Sequence, residues 1–504
     1  MADYLHGAYG HLDESIVRHV VTSETVPVYF GTAPVGLVRG WEGAGIVNEP
    51  VKLSSLDDAK AKIGYSTDFA SYTLCEAVAA HFDNGGEGVG PIYVINVLDP
   101  KADKLAQDTT KTVTFAKGRA TLATDRAVLD TIKVTSTAET PVTYKEGVDY
   151  TLSYAYPATG QRLELFAVDG GAIADGEAKV TYSEMDPASV TADDVVGFAT
   201  PDGEYGGIAA LPLLYQEQFA IPNLLAAPGW SQVPAVYEAL VAASHEINGH
   251  WDAMVVADLP LVDTDAKAVD TIDKAIQWKA DKGYDSERAV VCWPMAADSD
   301  GRRFHLSSLF VAESQRVDQS HAGVPFETPS NKAVPVTRQF FGDNSKNRGF
   351  DQQTGNRLNE KGIVTVVGWA GDWVLWGSHT AAYEFDNAEV DPRAIFAPSM
   401  RMLFHITNLF QAEWSPQIDS PMTRALKDRI VSREQEKLDG YVTVGALIGQ
   451  PRVYFVETEN PVSNLINGDF RWDLQVTPTP PLKSASAYVS YTDAGFSAYF
   501  EGVE

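Results

Sequence analysis

Cysteine is scarce in this chain. Its 504 residues hold two, Cys75 and Cys292, each inside an apolar segment where a small side chain suits a core, so both are expected to be reduced and buried rather than part of a disulfide framework. Long apolar runs are missing as well, since no stretch approaches the roughly 18 to 20 uninterrupted apolar residues of a membrane span. The opening MADYLHGAYGHLDES lacks both a basic segment and an apolar one, and is expected not to act as a signal peptide. Positive charge is in short supply too. The balance of 39 basic against 68 acidic residues leaves a formal net charge of −29, which repels nucleic acid phosphates and acidic membrane surfaces alike.

What is present is an ordinary globular composition, 44% hydrophobic and 21% charged, in a chain too long for one hydrophobic core. Two or more lobes are expected. Residues 1–20 show no sustained period and read as an extended arm. VPVYFGTAP (26–34) is a β-rich run, SSLDDAKAKIG carries a capping box that pairs Ser54 or Ser55 with Asp57 or Asp58, and a second helix is predicted over about 67–82. The turn NGGEGVG and the buried strand PIYVINVL follow. From 101 to 200 tryptophan is absent and short alternating runs such as KTVTFA, TIKVTST, DYTLSY and AKVTYSE suggest an inserted β-sandwich.

Helix and strand alternate again beyond residue 200. The periodicity predicts helices from Ser231 to about Ile247, over DAKAVDTIDKAIQWKADKG and over RRFHLSSLFVAESQRVD, with strands in WDAMVVAD and ERAVVCWP. That order implies a mostly parallel sheet covered by helices. Helices over 399–412 and 421–438 precede YVTVGALIG and PRVYFVETE, read as a strand pair; beyond VTPTPPLKS the segments AYVSY and FSAYF read as strand-like. Such a terminus has an edge to offer or to seek. The fold class is therefore mixed α/β and multidomain. The expected division is an N-terminal arm (1–20), an α/β core (21–100 with 201–395), an inserted β-sandwich (101–200), an α+β C-terminal domain (396–484) and a C-terminal arm (485–504).

Motifs with a chemical look do not assemble a site. HEINGH (245–250) places its histidines five apart with Gly249 between them, whereas a zinc helix needs a spacing of four. NGGEGVG follows a helix and precedes a strand, the reverse of a phosphate loop. In GWAGDWVLWGSHTA (368–381), Ser378 and His379 are adjacent, and a strand sends them to opposite faces. No catalytic, cofactor or metal residues are assigned. IVTVVGW and DWVLWGSHT read instead as two strands of a core hairpin, joined at Ala370, Gly371 and Asp372. Its residues Trp369, Trp373, Trp376, Gly377 and His379 are expected to wall the rigid core, with the tryptophans filling the space between sheet and helices.

Several segments taken together resemble the tail sheath proteins of contractile phage tails and related contractile particles: HGAYG with VPVYFGTAP, AVAAHFDNGGEGVGPIYVINV, GVDYTLSY, LNEKGIVTVVGWAGDWVLWGSHTA, and GALIGQPRVYFVETENP with GDFRWDLQVTPTPPLKSASAYVSY. Where that family's pattern has W-G-x-R-T, this chain has His379 in place of arginine. The resemblance implies a structural subunit of a helical, six-stranded tube that surrounds an inner tail tube and contracts to drive it through a cell envelope. It implies self-association in six-fold rings, contact with inner tube, baseplate and tail terminator proteins, and no cofactor, nucleic acid or membrane partner. A C-terminal domain facing the inner tube, an outward inserted domain and a place in the virion tail after assembly in the bacterial cytoplasm are implied with it. The arm residues Tyr4, Tyr9, Tyr488, Val489, Tyr491, Phe496 and Tyr499 are the expected links between subunits, each arm completing a sheet in a neighbour. Rival readings are an α/β hydrolase using His245, Glu246 or His379, and a glycan-binding surface protein using the tyrosines of DYTLSYAY (149–156).

Overall fold

A computed structural model describes residues 25–84, 88–157, 160–342 and 349–500. Its centre is an eight-stranded sheet of β1 (Pro27–Gly31), β2 (Pro50–Leu53), β3 (Ile92–Asn96), β4 (Leu224–Ala226), β5 (Met254–Asp258), β6 (Ala289–Cys292), β7 (Ile363–Trp369) and β8 (Asp372–Trp376). The spatial order is β2-β3-β1-β4-β5-β6-β7-β8. β3 through β7 run parallel to their neighbours, and β2 and β8 close the two edges antiparallel. Every residue of β1, β3, β4, β5 and β6 is buried, as strands covered on both faces must be. That is why PVYFG, IYVIN and MVVAD read as continuous apolar runs rather than alternating ones.

The covering helices include α1 (Leu56–Lys62), α2 (Thr73–Phe82), α3 (Pro234–Ala243), α4 (Ile272–Asp281), α5 (Leu306–Ser320) and α6 (Gln352–Asn359). Ser55 caps α1 by accepting from the Asp58 amide at 3.1 Å, while Ser54 donates its own amide to Asp58 at 2.9 Å, a capping box spread over two serines. α5 is buried nearly all round, from Leu306 to Asp318, and packs on α2, β4 and β5.

Within 101–200, one antiparallel sheet holds Thr109–Phe115, Gly176–Tyr182, Lys133–Ser136 and Thr143–Tyr144, and a second holds Arg119–Leu122, Arg162–Ala167 and Tyr150–Ala155. Both sheets face one apolar cluster that includes Phe115, Val134, Tyr150, Leu165, Val180 and Tyr182. The cluster is separate from that of the large sheet, but its base is fastened there. Ser66 Oγ donates to Asp125 at 2.6 Å, Tyr72 Oη to the Asp125 carbonyl at 3.1 Å, and Arg126 of the insert to Ser71 Oγ at 3.3 Å. Tyr154 and Tyr156 also lie against the main core.

Beyond residue 396, α7 (Ala397–Trp414) and α8 (Arg424–Thr443) precede a two-stranded antiparallel sheet, Arg452–Tyr454 with Asp473–Gln475. α7 belongs to two cores. Ala397, Met400 and Phe404 join the main cluster, whereas Met402 and Ile406 join a third cluster with Leu438, Leu447 and Val453. Positions two apart on a helix lie about 200° apart around its axis, so one helix serves both.

Several sequence expectations shift. The YVTVGALIG segment does not form a strand: Tyr441–Thr443 are the last turn of α8, where Tyr441 and Val442 pack against the third cluster. The partner of RVY is DLQ. Residues 67–72 precede α2 rather than opening it. α3 begins at Pro234, whose fixed φ and missing N–H suit a first helical position. Arg303–Phe304 pair as a strand with Ala296–Ala297, so α5 starts only at Leu306. FSAYF lies in a helix, Ala494–Phe500, and not in a strand.

Candidate functional site

The hairpin β7–β8 turns through Ala370 (φ 54°) and Gly371 (φ 101°), with Trp369 opposite Asp372 and Thr365 opposite Trp376. Asp372 is thus in the strand, and the loop has two residues. Ile363 to Val367 of β7 and Val374 and Leu375 of β8 are buried; Trp369 is 47% exposed, and Trp373 and Trp376 are only partly covered. The aliphatic residues therefore make the wall, and the tryptophans form its rim. The cause is geometric: β6 pairs with β7 only as far as Val364, so the hairpin tip runs past its neighbour. Trp376 Nε1 donates to Asn356 Oδ1 at 2.8 Å, and the Trp369 and Trp376 rings lie 6.3 Å apart. Gly377 has φ 131°, and a Cβ there would meet Asn359 Nδ2 at 2.7 Å. That amide is occupied in holding the Ile363 and Trp376 carbonyls.

His379 is 4% exposed. Its ring stacks on Tyr383 at 3.6 Å and 4°, and on Phe396 at 4.9 Å and 19°. Nδ1 lies 2.9 Å from the Ile395 carbonyl, which can only accept, so Nδ1 carries the ring proton. Burial pushes the imidazole down to about 4, and the charge of Lys483 acts in the same direction. The His379 side chain is thus a neutral plate in an aromatic stack. Lys483 Nζ sits 5.7 Å from the centre of the Tyr383 ring, and Pro481 to Ala485 line, with Trp376, His379 and Tyr383, a cleft of about 520 Å³. The chain leaving the C-terminal sheet therefore crosses the base of the hairpin on its way out.

Past that crossing the chain is extended and solvent-facing. Tyr488, Val489 and Tyr491 are 97%, 94% and 85% exposed, in a segment that pairs with no strand among the described residues. Phe496 and Tyr499 are exposed on the terminal helix. Tyr4 and Tyr9 lie outside the described residues, as do 85–87 of the glycine-rich turn. The first described residues are firmly held: Thr25 Oγ1 donates to Asp318 Oδ2 at 2.6 Å, Gln315 Nε2 donates to the Thr25 carbonyl at 3.0 Å, and the Val26 amide donates to Asn223. Asp318 also takes both terminal nitrogens of Arg401, on α7. No sequence signal marked this buried pair, because its two residues lie far apart in the chain and each reads locally as an ordinary polar position on an amphipathic helix.

Open parallel sheets bind ligands beyond the strand C-termini where the strand order reverses, which here is between β1 and β4. That crevice is filled by the chain itself. Thr73 exchanges bonds with Thr32 across it, and a Cβ on Gly31 or Gly229 would strike Thr73 at 2.2 or 2.7 Å. Glu76 is buried and accepts from the His305 amide at 2.6 Å, His305 Nδ1 at 2.8 Å and Ser308 Oγ at 2.9 Å. Asp258 accepts from both the amide and the hydroxyl of Ser307 at the start of α5. Burial pushes the Asp258 carboxyl up to about 6, partly offset by His305 and Ser307. For His305, burial pulls down, but Glu76 more than offsets it and lifts the imidazole to about 9. These groups are occupied with one another inside a packed core.

The histidines of HEINGH do not converge. The segment is a turn, with Glu246 and Asn248 at positive φ; His245 Nδ1 meets Asp252 at 2.9 Å, and His250 Nδ1 meets Gln411 at 3.2 Å. Among the described residues no group of three or more His, Cys, Asp or Glu is arranged to hold a metal ion, and no helix is long and apolar enough to cross a membrane. The tyrosines of DYTLSYAY are structural: Tyr150 lies inside its own cluster, and Tyr154 and Tyr156 lie against the main core.

No protein-family model matches the chain. A tail sheath protein of Burkholderia phage BcepMu is 29% identical over 506 residues, covering 96% of this chain and 95% of that protein. A major tail sheath protein of Serratia phage KSP20 is 22% identical over 326 residues, covering 62% and 75%. Among solved structures, a chain of the anti-feeding prophage baseplate, 6-fold symmetrised, superposes with a TM-score of 0.53 at 14% identity, covering 97% of this chain and 100% of that one. A chain of the PVC extracellular contractile injection system sheath complex in the contracted state gives 0.53 at 13%, covering 98% and 99%. With its ligand crevice closed, this chain is similar to phage tail sheath proteins, to one of them nearly end to end.

Proposed function

We infer that the chain is a structural subunit, not an enzyme, that polymerises as a helical tube around an inner tail tube and contracts to drive that tube through the target cell envelope. The observation that carries the reading is the similarity to a phage tail sheath protein over 96% of the chain. In this reading residues 1–20 and 485–504 are arms, 21–100 with 201–395 the core, 101–200 an outward β domain, and 396–484 the domain facing the inner tube. The exposed row Tyr488, Val489 and Tyr491 offers one strand to a neighbour, with Phe496 and Tyr499 beyond it and Tyr4 and Tyr9 on the other arm. In the two-stranded sheet, Gln435 of α8 occupies the outer edge of 452–454 at the Val453 amide and the Pro451 carbonyl, whereas the outer edge of 473–475 pairs with no strand among the described residues and is a suitable acceptor. Partners are other copies in six-fold rings, the inner tube, the baseplate and a tail terminator, in the virion tail or a related particle.

Energy for contraction is stored when the extended lattice assembles, so no cofactor enters. The subunit supports this with a rigid body and pliant connections: α7 binds two cores together, while the chain beyond Pro481 crosses to the surface with few contacts. Negative-stain microscopy of the full chain and of a chain lacking residues 485–504 tests the reading. The full chain is expected to form hollow or striated tubes and the truncated one folded single particles; long tubes from the truncated chain would remove the arm from the mechanism.

A further inference from the structure

The root of the N-terminal arm is fastened in an unusual way. Thr25, Asp318 and Arg401 are all at least nine-tenths buried, and they come from three places: the chain just before β1, the last turns of α5, and the first turns of α7. Asp318 Oδ2 receives both the Thr25 hydroxyl and an Arg401 terminal nitrogen, and Asp318 Oδ1 receives the other at 3.2 Å. Gln315, one turn earlier on α5, holds the Thr25 carbonyl and also reaches the Pro91 carbonyl at 2.7 Å. The sheet itself takes hold only one residue later, at Val26 and Pro27, through Asn223 and β4. The arm root is thus bonded to α7 by a path of two charge-assisted links, and α7 packs directly into the C-terminal cluster through Met402 and Ile406.

We propose that Thr25, Asp318 and Arg401 form a clamp that passes tension on the N-terminal arm to the C-terminal cluster through α7, bypassing the sheet. The proposal rests on the sheath reading, in which the arm links one copy of the chain to another. It makes Thr25 a positioning residue for assembly: its hydroxyl fixes the point and direction at which the arm leaves, so a neighbouring copy meets an arm whose root is already ordered. Backbone hydrogen bonds alone leave that root free to swivel one residue further out.

The test compares the full chain with Thr25→Val and Thr25→Ser. Valine keeps the shape and the Asp318–Arg401 pair but donates nothing; serine restores the donor. The readouts are the critical concentration for tube formation, by sedimentation and microscopy, and the thermal melting of the same chains held below that concentration. Thr25→Val is expected to melt within about 2 °C of the unaltered chain, yet to need a roughly five-fold higher concentration to form tubes, because more of the arm must be ordered on docking. Thr25→Ser is expected to assemble normally. Equal critical concentrations for all three chains overturn the clamp. So does a Thr25→Val melting loss as large as its assembly defect, which makes the bond merely structural. If the unaltered chain forms no tubes at all, the sheath reading fails first, and the two failures are told apart.

Discussion

His379 gives a prediction in which two chains exchange rank with pH. The imidazole has an ordinary value of 6.5 and is held near 4 in the folded chain, chiefly by burial. As pH falls below 6.5 the unfolded chain takes the proton first, so the stability contributed at neutral pH is lost progressively as pH falls to about 4. Moving the imidazole from 6.5 to about 4 corresponds to about 3 kcal/mol. Replacement by phenylalanine keeps a flat ring between Tyr383 and Phe396 but removes the titrating group and the bond to the Ile395 carbonyl. That carbonyl retains the Thr380 amide at 3.3 Å, so the constant cost is about 1 kcal/mol. His379→Phe is therefore expected to be less stable than the unaltered chain by about 1 kcal/mol at pH 7 and more stable by about 2 kcal/mol near pH 4. His81 and His405 are also held low by burial, but they are present in both chains and cancel in the difference. Urea unfolding at half-unit pH steps reads it. Parallel stability curves for the two chains would refute the neutral, buried assignment.

Two further substitutions probe the frame around the site. Arg401→Met leaves the Asp318 carboxylate buried without its cation and is expected to cost roughly 3 to 5 kcal/mol by urea unfolding, most of it recovered in Arg401→Met with Asp318→Leu, because removing both charges also removes their desolvation. Ala370 holds φ 54° in the hairpin turn, where a Cβ is strained; Ala370→Gly is expected to raise stability by about 0.5 to 1 kcal/mol in the same assay.

Much of the architecture was legible because it is written in local pattern. PVYFG, IYVIN and MVVAD announced buried strands, the serines before α1 announced a cap, and the alternating runs of 101–200 announced antiparallel strands. The misread elements were settled by partners distant in sequence. YVTV has strand composition, yet Tyr441 and Val442 are drawn into the last turn of α8 by the cluster around Leu438; RVY waits for DLQ some twenty residues on. The tryptophans of the hairpin looked like core because large aromatics bury well, but only the sheet register shows that β7 outruns β6. Cleft and clamp were illegible for the same reason: Lys483 and Tyr383, like Thr25 and Asp318, say nothing about each other until the chain is folded.

The inserted β region carries a consequence for engineering. Its grip on the large sheet lies at one end, through Ser66, Tyr72, Asp125, Tyr154 and Tyr156, while the loop 137–142 is solvent-facing and drawn shut by paired bonds between Ser136 and Val142. A peptide grafted between Glu139 and Thr140 would hang outside that closure, away from the apolar cluster. In the proposed polymer the loop recurs in every copy, a display position whose spacing is set by the lattice.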